Sequence, residues 1–192
     1  MTTAFLEGKR LYLRGLTEED ASGNYPAWFN DAQVCEFNSH HVFPYGRKDA
    51  EAYIRSTYEA KESLILAVVL KDKHIHIGNI SLQRINLIDR TAEFAVVIGD
   101  RASWGKGYAR EAAELICRHG FMELNLNRIY CGTSIDNHAM RKLAEGLGML
   151  MEGKRRSHMF KHGRYVDIVE YGVLRPEFFA KFGIAGEADH AQ

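Results

Sequence analysis

The chain has 192 residues, 46% of them hydrophobic and 26% charged, which is enough length and apolar content for one domain with a real core. Lysine plus arginine equals aspartate plus glutamate at 25 each, and so balanced a surface argues against nucleic acid or an anionic membrane as the main partner. The three cysteines, Cys35, Cys117 and Cys131, are far apart and outside any Cys-x-x-Cys spacing; they point to neither a disulfide framework nor a zinc site, and fit buried free thiols in a reducing compartment.

In chain order, Met1 to Glu7 has no basic stretch followed by an apolar core and does not read as a signal peptide. Residues 10–14 alternate and predict a strand. Thr17, with Asp20 three residues on, predicts a helix start, and the helix would carry Tyr25, Trp28 and Phe29 inward past Pro26. Residues 42–46 form a loop, and a helix follows from about 47 to 62. Residues 64–70 are a continuous apolar strand, too short to cross a bilayer. It pairs with residues 75–82 through a turn at Lys71, Asp72 and Lys73. Residues 92–98 make a further strand. Tyr108, Ala112, Leu115, Ile116 and Phe121 set a helical spacing over 106–121. A strand at 128–135 leads to a helix capped by Asp136 or Asn137 and stopped at Gly148. Strands at 151–160 and 165–174 are joined by His162 and Gly163. A short helix from Pro176 and a polar tail end the chain. The order is βααβββαβαββ, with one domain over 1–176 and a C-terminal helix and tail over 177–192. The expected location is the cytoplasm.

The most informative stretch is Trp104-Gly105-Lys106-Gly107-Tyr108-Ala109, between a strand and a helix. Such a turn can hold phosphate, because its backbone N–H groups and the positive end of the helix dipole point the same way. The two glycines let a ligand approach the backbone closely. Neither well-known glycine fingerprint fits. A dinucleotide fold needs a third glycine where Arg110 stands, and a P-loop needs Ser or Thr where Gly107 stands.

With this turn, the element order resembles the GNAT acyltransferase superfamily. Asn137 to Leu143 followed by Leu147-Gly148-Met149 is similar to the family's second signature. Residues 10–14, Glu152-Gly153 and residues 162–167 resemble its RimJ/RimL-like branch. The resemblance implies an α/β (α+β) fold with a mixed, mostly antiparallel central sheet and flanking helices. It also implies an acetyl-coenzyme A site between two splayed strands and no metal. Backbone groups of Val96, Val97 and Ile98 would pair with the pantetheine arm. The turn Trp104, Gly105, Lys106, Gly107, Tyr108 and Ala109 would hold the pyrophosphate, and Asn137 would touch the pantetheine from the other side. Four positions depart from the family pattern. Ala102 replaces the usual Gln or Arg before the first glycine. Ala144 stands where many members have a tyrosine that protonates the leaving thiolate. Met140 and Met159 occupy the places of the serine and glutamate that RimL-like enzymes use.

Acetyl transfer needs a neutral amine, a polarised carbonyl and a departing thiolate, and a free alkylamine has a pKa of about 10. Glu93 is the leading candidate for base or amine anchor, unless Arg84 or Arg90 merely pairs with it. His40, His41 and Trp28 are candidates for the acceptor side. His74 and His76 share a face if both lie on the strand. Glu111 reads as structural through the helix dipole, and Asp167 as hydrogen-bonded to backbone or Arg164. Arg141 and Lys142 are candidates for the cofactor's 3′-phosphate. The acceptor is a primary amine: a protein N-terminus, a polyamine, or an amino sugar or antibiotic. A non-catalytic acyl-coenzyme A binding module is the rival of another class, and a homodimer is open.

Overall fold

The computed structural model describes residues 3–184. Among them one eight-stranded sheet is built from β1 (Leu6–Glu7), β2 (Leu11–Gly15), β3 (Leu64–Leu70), β4 (His76–Asn86), β5 (Thr91–Ile98), β6 (Arg128–Ser134), β7 (Leu150–Lys161) and β8 (Arg164–Leu174). The helices are α1 (Tyr25–Trp28), α2 (Arg47–Glu59), α3 (Tyr108–Met122), α4 (His138–Gly146) and α5 (Arg175–Phe182). Across the sheet the order is β1-β2-β3-β4-β5-β6-β8-β7. Every neighbouring pair is antiparallel except β5 and β6. This is the mixed, mostly antiparallel α/β architecture that the sequence predicts.

Both faces of the sheet are covered, which is why β3 is apolar without interruption. Its alternation sends Leu66, Val68 and Leu70 to one core and Ala67 and Val69 to the other. The first core is closed by α3 through Ala112, Ala113, Ile116, Cys117 and Phe121, a helical stripe one turn apart. Ala144 and Leu147 of the α4 segment and Phe178 and Phe179 of α5 complete it. α5 therefore runs across the boundary expected at residue 176. The second core packs Tyr25, Trp28, Phe29, Ala50 and Ile54 over the opposite face.

Several expectations are corrected. The helix predicted from Thr17 through Phe29 is two pieces, a 3₁₀ turn over Glu18–Ser22 and the four-residue α1. Gly23 and Asn24 break it, and Pro26 is tolerated because it falls in the first turn of α1, where no backbone donor is needed. β1 was not predicted, since two residues show no period. α2 ends at Glu59, and β4 runs on to Asn86 past a register shift. His74 precedes the strand in a left-handed conformation, φ 53°, so it does not share a face with His76. His162 and Gly163, both at positive φ, make the tight β7–β8 turn as expected. The polar tail after Ile184 lies outside the described residues. Among those described, no helix is long and apolar enough to cross a membrane.

Candidate active site

The sheet forks in its middle. β5 pairs with β6 at three positions only, Thr91 with Arg128, Ala92 with Ile129 and Glu93 with Tyr130. Beyond that point β5 stays with β4 as far as Ile98 against Gly78, while β6 follows β8 as far as Ser134. From Phe94 to Ile98 the edge of β5 that faces away from β4 therefore has no partner strand among the described residues. An unpaired strand edge accepts an extended ligand much as it accepts another strand.

The glycine turn stands at the open end of this fork. Asp100 folds the chain back by accepting from the Ala102 amide at 3.2 Å and the Ser103 hydroxyl at 2.6 Å. The Trp104 indole Nε1 donates to the Ile98 carbonyl at 2.7 Å, and the Trp104 amide donates to the Arg101 carbonyl at 3.2 Å. Gly105 and Gly107 then take left-handed conformations, φ 71° and 77°, which lead into the first turn of α3. Among the described residues, the amides from Gly105 to Arg110 donate to no carbonyl or side chain. Six consecutive open N–H groups at the start of a 15-residue helix form a site for an anion. Trp104 braces the turn from its side chain, and its own amide is already used.

On the α1–α2 face of the sheet, alternation brings Glu93, Ala95 and Val97 of β5 beside Gln83, Ser81 and Asn79 of β4. Glu93 and Tyr130 stand together at the apex of the fork. Arg84, at a left-handed bulge of φ 50°, reaches Glu93 at 3.4 Å. That pair is largely open to solvent and holds weakly. A groove of about 630 Å³, lined by Tyr53, Thr57, Ile65, Gln83 and Arg84 among others, opens beside it. Tyr130 was not singled out from the sequence. Only its register opposite Glu93 brings it to the apex.

The other sequence candidates divide. His40 rests on Phe29, ring centroids 4.5 Å apart, and the Lys161 ammonium at the β7–β8 tip donates to the Asn38 and His40 carbonyls at 3.0 and 2.9 Å. Burial first and the Lys161 charge second hold the His40 imidazole below its usual range. His41 is exposed at φ 64°. Trp28 is buried, T-shaped against His76 at 4.9 Å, and a Cβ on Gly99 would strike its ring; it belongs to the core. His76 itself joins a buried chain. Its Nδ1 lies 3.1 Å from Asp20, and its Nε2 lies 2.8 Å from the Asn79 side-chain oxygen. Arg14 grips the same Asp20 carboxylate with two bonds of 2.8 and 2.7 Å.

Asn137 caps α4 by accepting from the Met140 amide at 3.1 Å, which leaves its side-chain NH₂ free. Arg141 is committed to the Tyr171 hydroxyl and the Ile135 carbonyl, both at 3.2 Å. Ala144 is fully buried in the first core. Cys131 is buried beside Met149, and burial first, then the Glu93 charge, push its thiol up to about 12. It is not a nucleophile at neutral pH. Asp167 accepts from the Ser157 amide at 2.8 Å and pairs with Lys154, while Arg164 pairs with Asp136. Among the described residues, no three His, Cys, Asp or Glu side chains converge as a metal site.

The family model of the acetyltransferase (GNAT) domain matches residues 10–150. The chain is 28% identical over 182 residues to the uncharacterized N-acetyltransferase p20 of Bacillus licheniformis, covering 93% of this chain and 99% of that protein. It resembles the crystal structure of spermidine N-acetyltransferase from Vibrio cholerae in complex with CoA and spermine, with a TM-score of 0.80 and 26% identity over 88% of this chain and 98% of that one. It shares its fold with RimL, a ribosomal L7/L12 alpha-N-protein acetyltransferase in complex with coenzyme A, at a TM-score of 0.78 and 15% identity over 86% and 94% of the two chains. A forked sheet, a glycine turn opening α3 and a domain match over most of the chain make this protein a member of the GNAT acetyltransferase family and an acyltransferase enzyme.

Proposed function

We propose that the protein transfers acetyl from acetyl-coenzyme A to the primary amine of a peptide or protein N-terminus. In this reading it acts in the cytoplasm, in the RimJ/RimL-like manner. The observation that carries the cofactor assignment is the run of six open amides from Gly105 to Arg110 at the end of the fork. They fit a pyrophosphate, and the unpaired edge of β5 at Val96 and Val97 fits the pantetheine arm. Asn137, at the start of α4, would touch the pantetheine from the other side. Acetyl-coenzyme A, bound here, supplies the acyl group and a thiolate of moderate basicity.

The chain's own residues do the rest. Backbone N–H groups of β5 on the open edge polarise the acyl oxygen. Glu93 anchors the incoming ammonium, displacing the weak contact to Arg84. His40, in the loop before α2, is the candidate proton acceptor. Transfer is direct, because Cys131 is inert. Water or Tyr130 protonates the sulfur in place of the absent tyrosine at Ala144.

Most of the carboxylates on this side are already engaged, which weighs against an acceptor with several ammonium groups. Asp20 is bound by Arg14 and His76, Asp31 by Arg101, Glu18 by Arg55 and Glu93 by Arg84, while Asp49 caps α2 through the Gly46 amide. The similarity to spermidine N-acetyltransferases favours the second reading, a polyamine acceptor.

A panel of peptide N-termini and polyamines, read by thiol release and product mass, separates the two. Peptides are expected to turn over and spermidine to lag by at least tenfold; the reverse order would assign the polyamine. In the same assay Glu93→Gln is expected to lower kcat/KM for the amine by roughly ten- to a hundredfold, the worth of one charge-assisted hydrogen bond. Coenzyme A affinity should not change. A loss below threefold would move the anchor away from Glu93.

A further inference from the structure

The turn that opens α3 is held from behind by a residue nearly a hundred positions earlier. Arg10 precedes β2. Its amide donates to one oxygen of the Glu111 carboxylate at 2.7 Å, and its Nε donates to the other at 2.8 Å. Its Nη1 donates to the Lys106 carbonyl at 2.8 Å. The guanidinium carbon stands 4.7 Å from the centre of the Tyr108 ring. One side chain thus touches Lys106, Tyr108 and Glu111, the middle of the turn and the first turn of the helix. Space around the contact is tight, since a Cβ on Gly8 would come within 2.6 Å of the Glu111 carboxylate.

This contact sets the direction of a key donor. A trans peptide points its C=O and N–H to opposite sides. With the Lys106 carbonyl turned onto Arg10, the Gly107 N–H is held pointing away from Arg10. The charge of Arg10 is offset by Glu111, whose carboxyl the Arg10 and Leu11 amides and the guanidinium hold below its usual range against the effect of burial. Arg10 therefore contributes little net charge to an anion in the turn. What it contributes is shape.

We infer that the Arg10–Glu111 pair is a positioning clip that presets the Lys106–Gly107 peptide for the coenzyme A pyrophosphate. The inference rests on the cofactor site proposed above. Presetting removes an ordering cost from binding, so its loss falls on cofactor affinity rather than on the chemical step.

The test is calorimetric titration with coenzyme A alongside steady-state kinetics. Arg10→Ala is expected to weaken coenzyme A binding and raise KM for acetyl-coenzyme A by roughly tenfold. The kcat at saturation and KM for the amine should stay within about twofold. Arg10→Lys keeps the charge but cannot bridge Glu111 and Lys106 together, so it should not restore affinity. Glu111→Gln gives the sharpest sign. A clip predicts weaker binding, whereas a simple attraction between Arg10 and phosphate predicts tighter binding. Lys71→Ala, which breaks the exposed Lys71–Glu7 pair nearby, should change nothing.

Parent-like affinity in Arg10→Ala, or tighter binding in Glu111→Gln, overturns the clip. If Gly107→Val still loses coenzyme A in that case, the site in the turn stands. A parent protein that does not bind coenzyme A overturns the site and the clip with it. Should Arg10→Ala fold poorly, Arg10→Lys and Glu111→Gln carry the test.

Discussion

Gly107→Val is expected to abolish coenzyme A binding at concentrations that saturate the parent, and acetyl transfer with it. Gly107 sits at φ 77°, where a β-branched residue is strained by about 1–3 kcal/mol. The turn relieves that strain by rotating the peptides on either side, and the Lys106, Gly107 and Tyr108 amides no longer converge. Losing two charge-assisted hydrogen bonds costs roughly 3–6 kcal/mol, about a hundredfold or more in affinity. The protein itself should still fold, because a Cβ at this position meets only the Arg10 guanidinium at an ordinary 3.5 Å. Thermal shift with and without coenzyme A checks both parts: the ligand-dependent rise disappears, and the ligand-free midpoint falls by a few degrees. A variant that keeps the full ligand-dependent rise would remove the turn from the cofactor site.

Asp20→Ala is expected to destabilise the fold by about 3–5 kcal/mol, since it leaves a buried cation without its partner. Asp20 ties three residues together. It takes two bonds from Arg14, one from the Thr17 amide at 2.8 Å and a contact with His76 at 3.1 Å. Together they fasten the 3₁₀ turn before α1 to β2 and β4. Burial alone would raise the Asp20 carboxyl. Arg14 and then His76 outweigh it and hold the group well below the carboxylate range. The sign follows from that depression. The stabilisation is complete above the unfolded value of about 3.9 and is lost as pH falls from there through the lower folded value. Denaturant titrations of parent and variant should therefore differ by a constant amount from pH 5 to 8 and converge in stronger acid. A difference below 1 kcal/mol at pH 7 would mean that the chain of contacts is ornamental.

What could be read from the sequence was what periodicity carries. The unbroken run Leu64–Leu70 predicts a strand, and the helical spacing from Tyr108 to Phe121 predicts α3. The His162–Gly163 turn is readable because only a few residues take two successive positive φ angles. Thr17 and Asp20 looked like a helix cap because Asp20 does bond the Thr17 amide. The pattern cannot show that the same carboxylate is also spent on Arg14 and His76, or that Gly23 and Asn24 stop the helix. Nor does it carry the contact of Arg10 with Glu111 across 101 positions, or the place of Tyr130 at the apex, while Arg84 was only one of two partners open for Glu93. These depend on which strands neighbour each other, and adjacency in a sheet leaves no local mark. The glycine turn was visible as a motif. That Trp104 has already spent its amide and that Arg110 adds one could be seen only once the turn was folded.

The most direct test of the account follows the backbone amides of ¹⁵N-labelled protein as coenzyme A is added. The Gly105 to Arg110 resonances should show the largest movements and become protected from hydrogen exchange, with Val96 and Val97 next. Saturating shifts that cluster elsewhere, with these six amides unmoved, would contradict it.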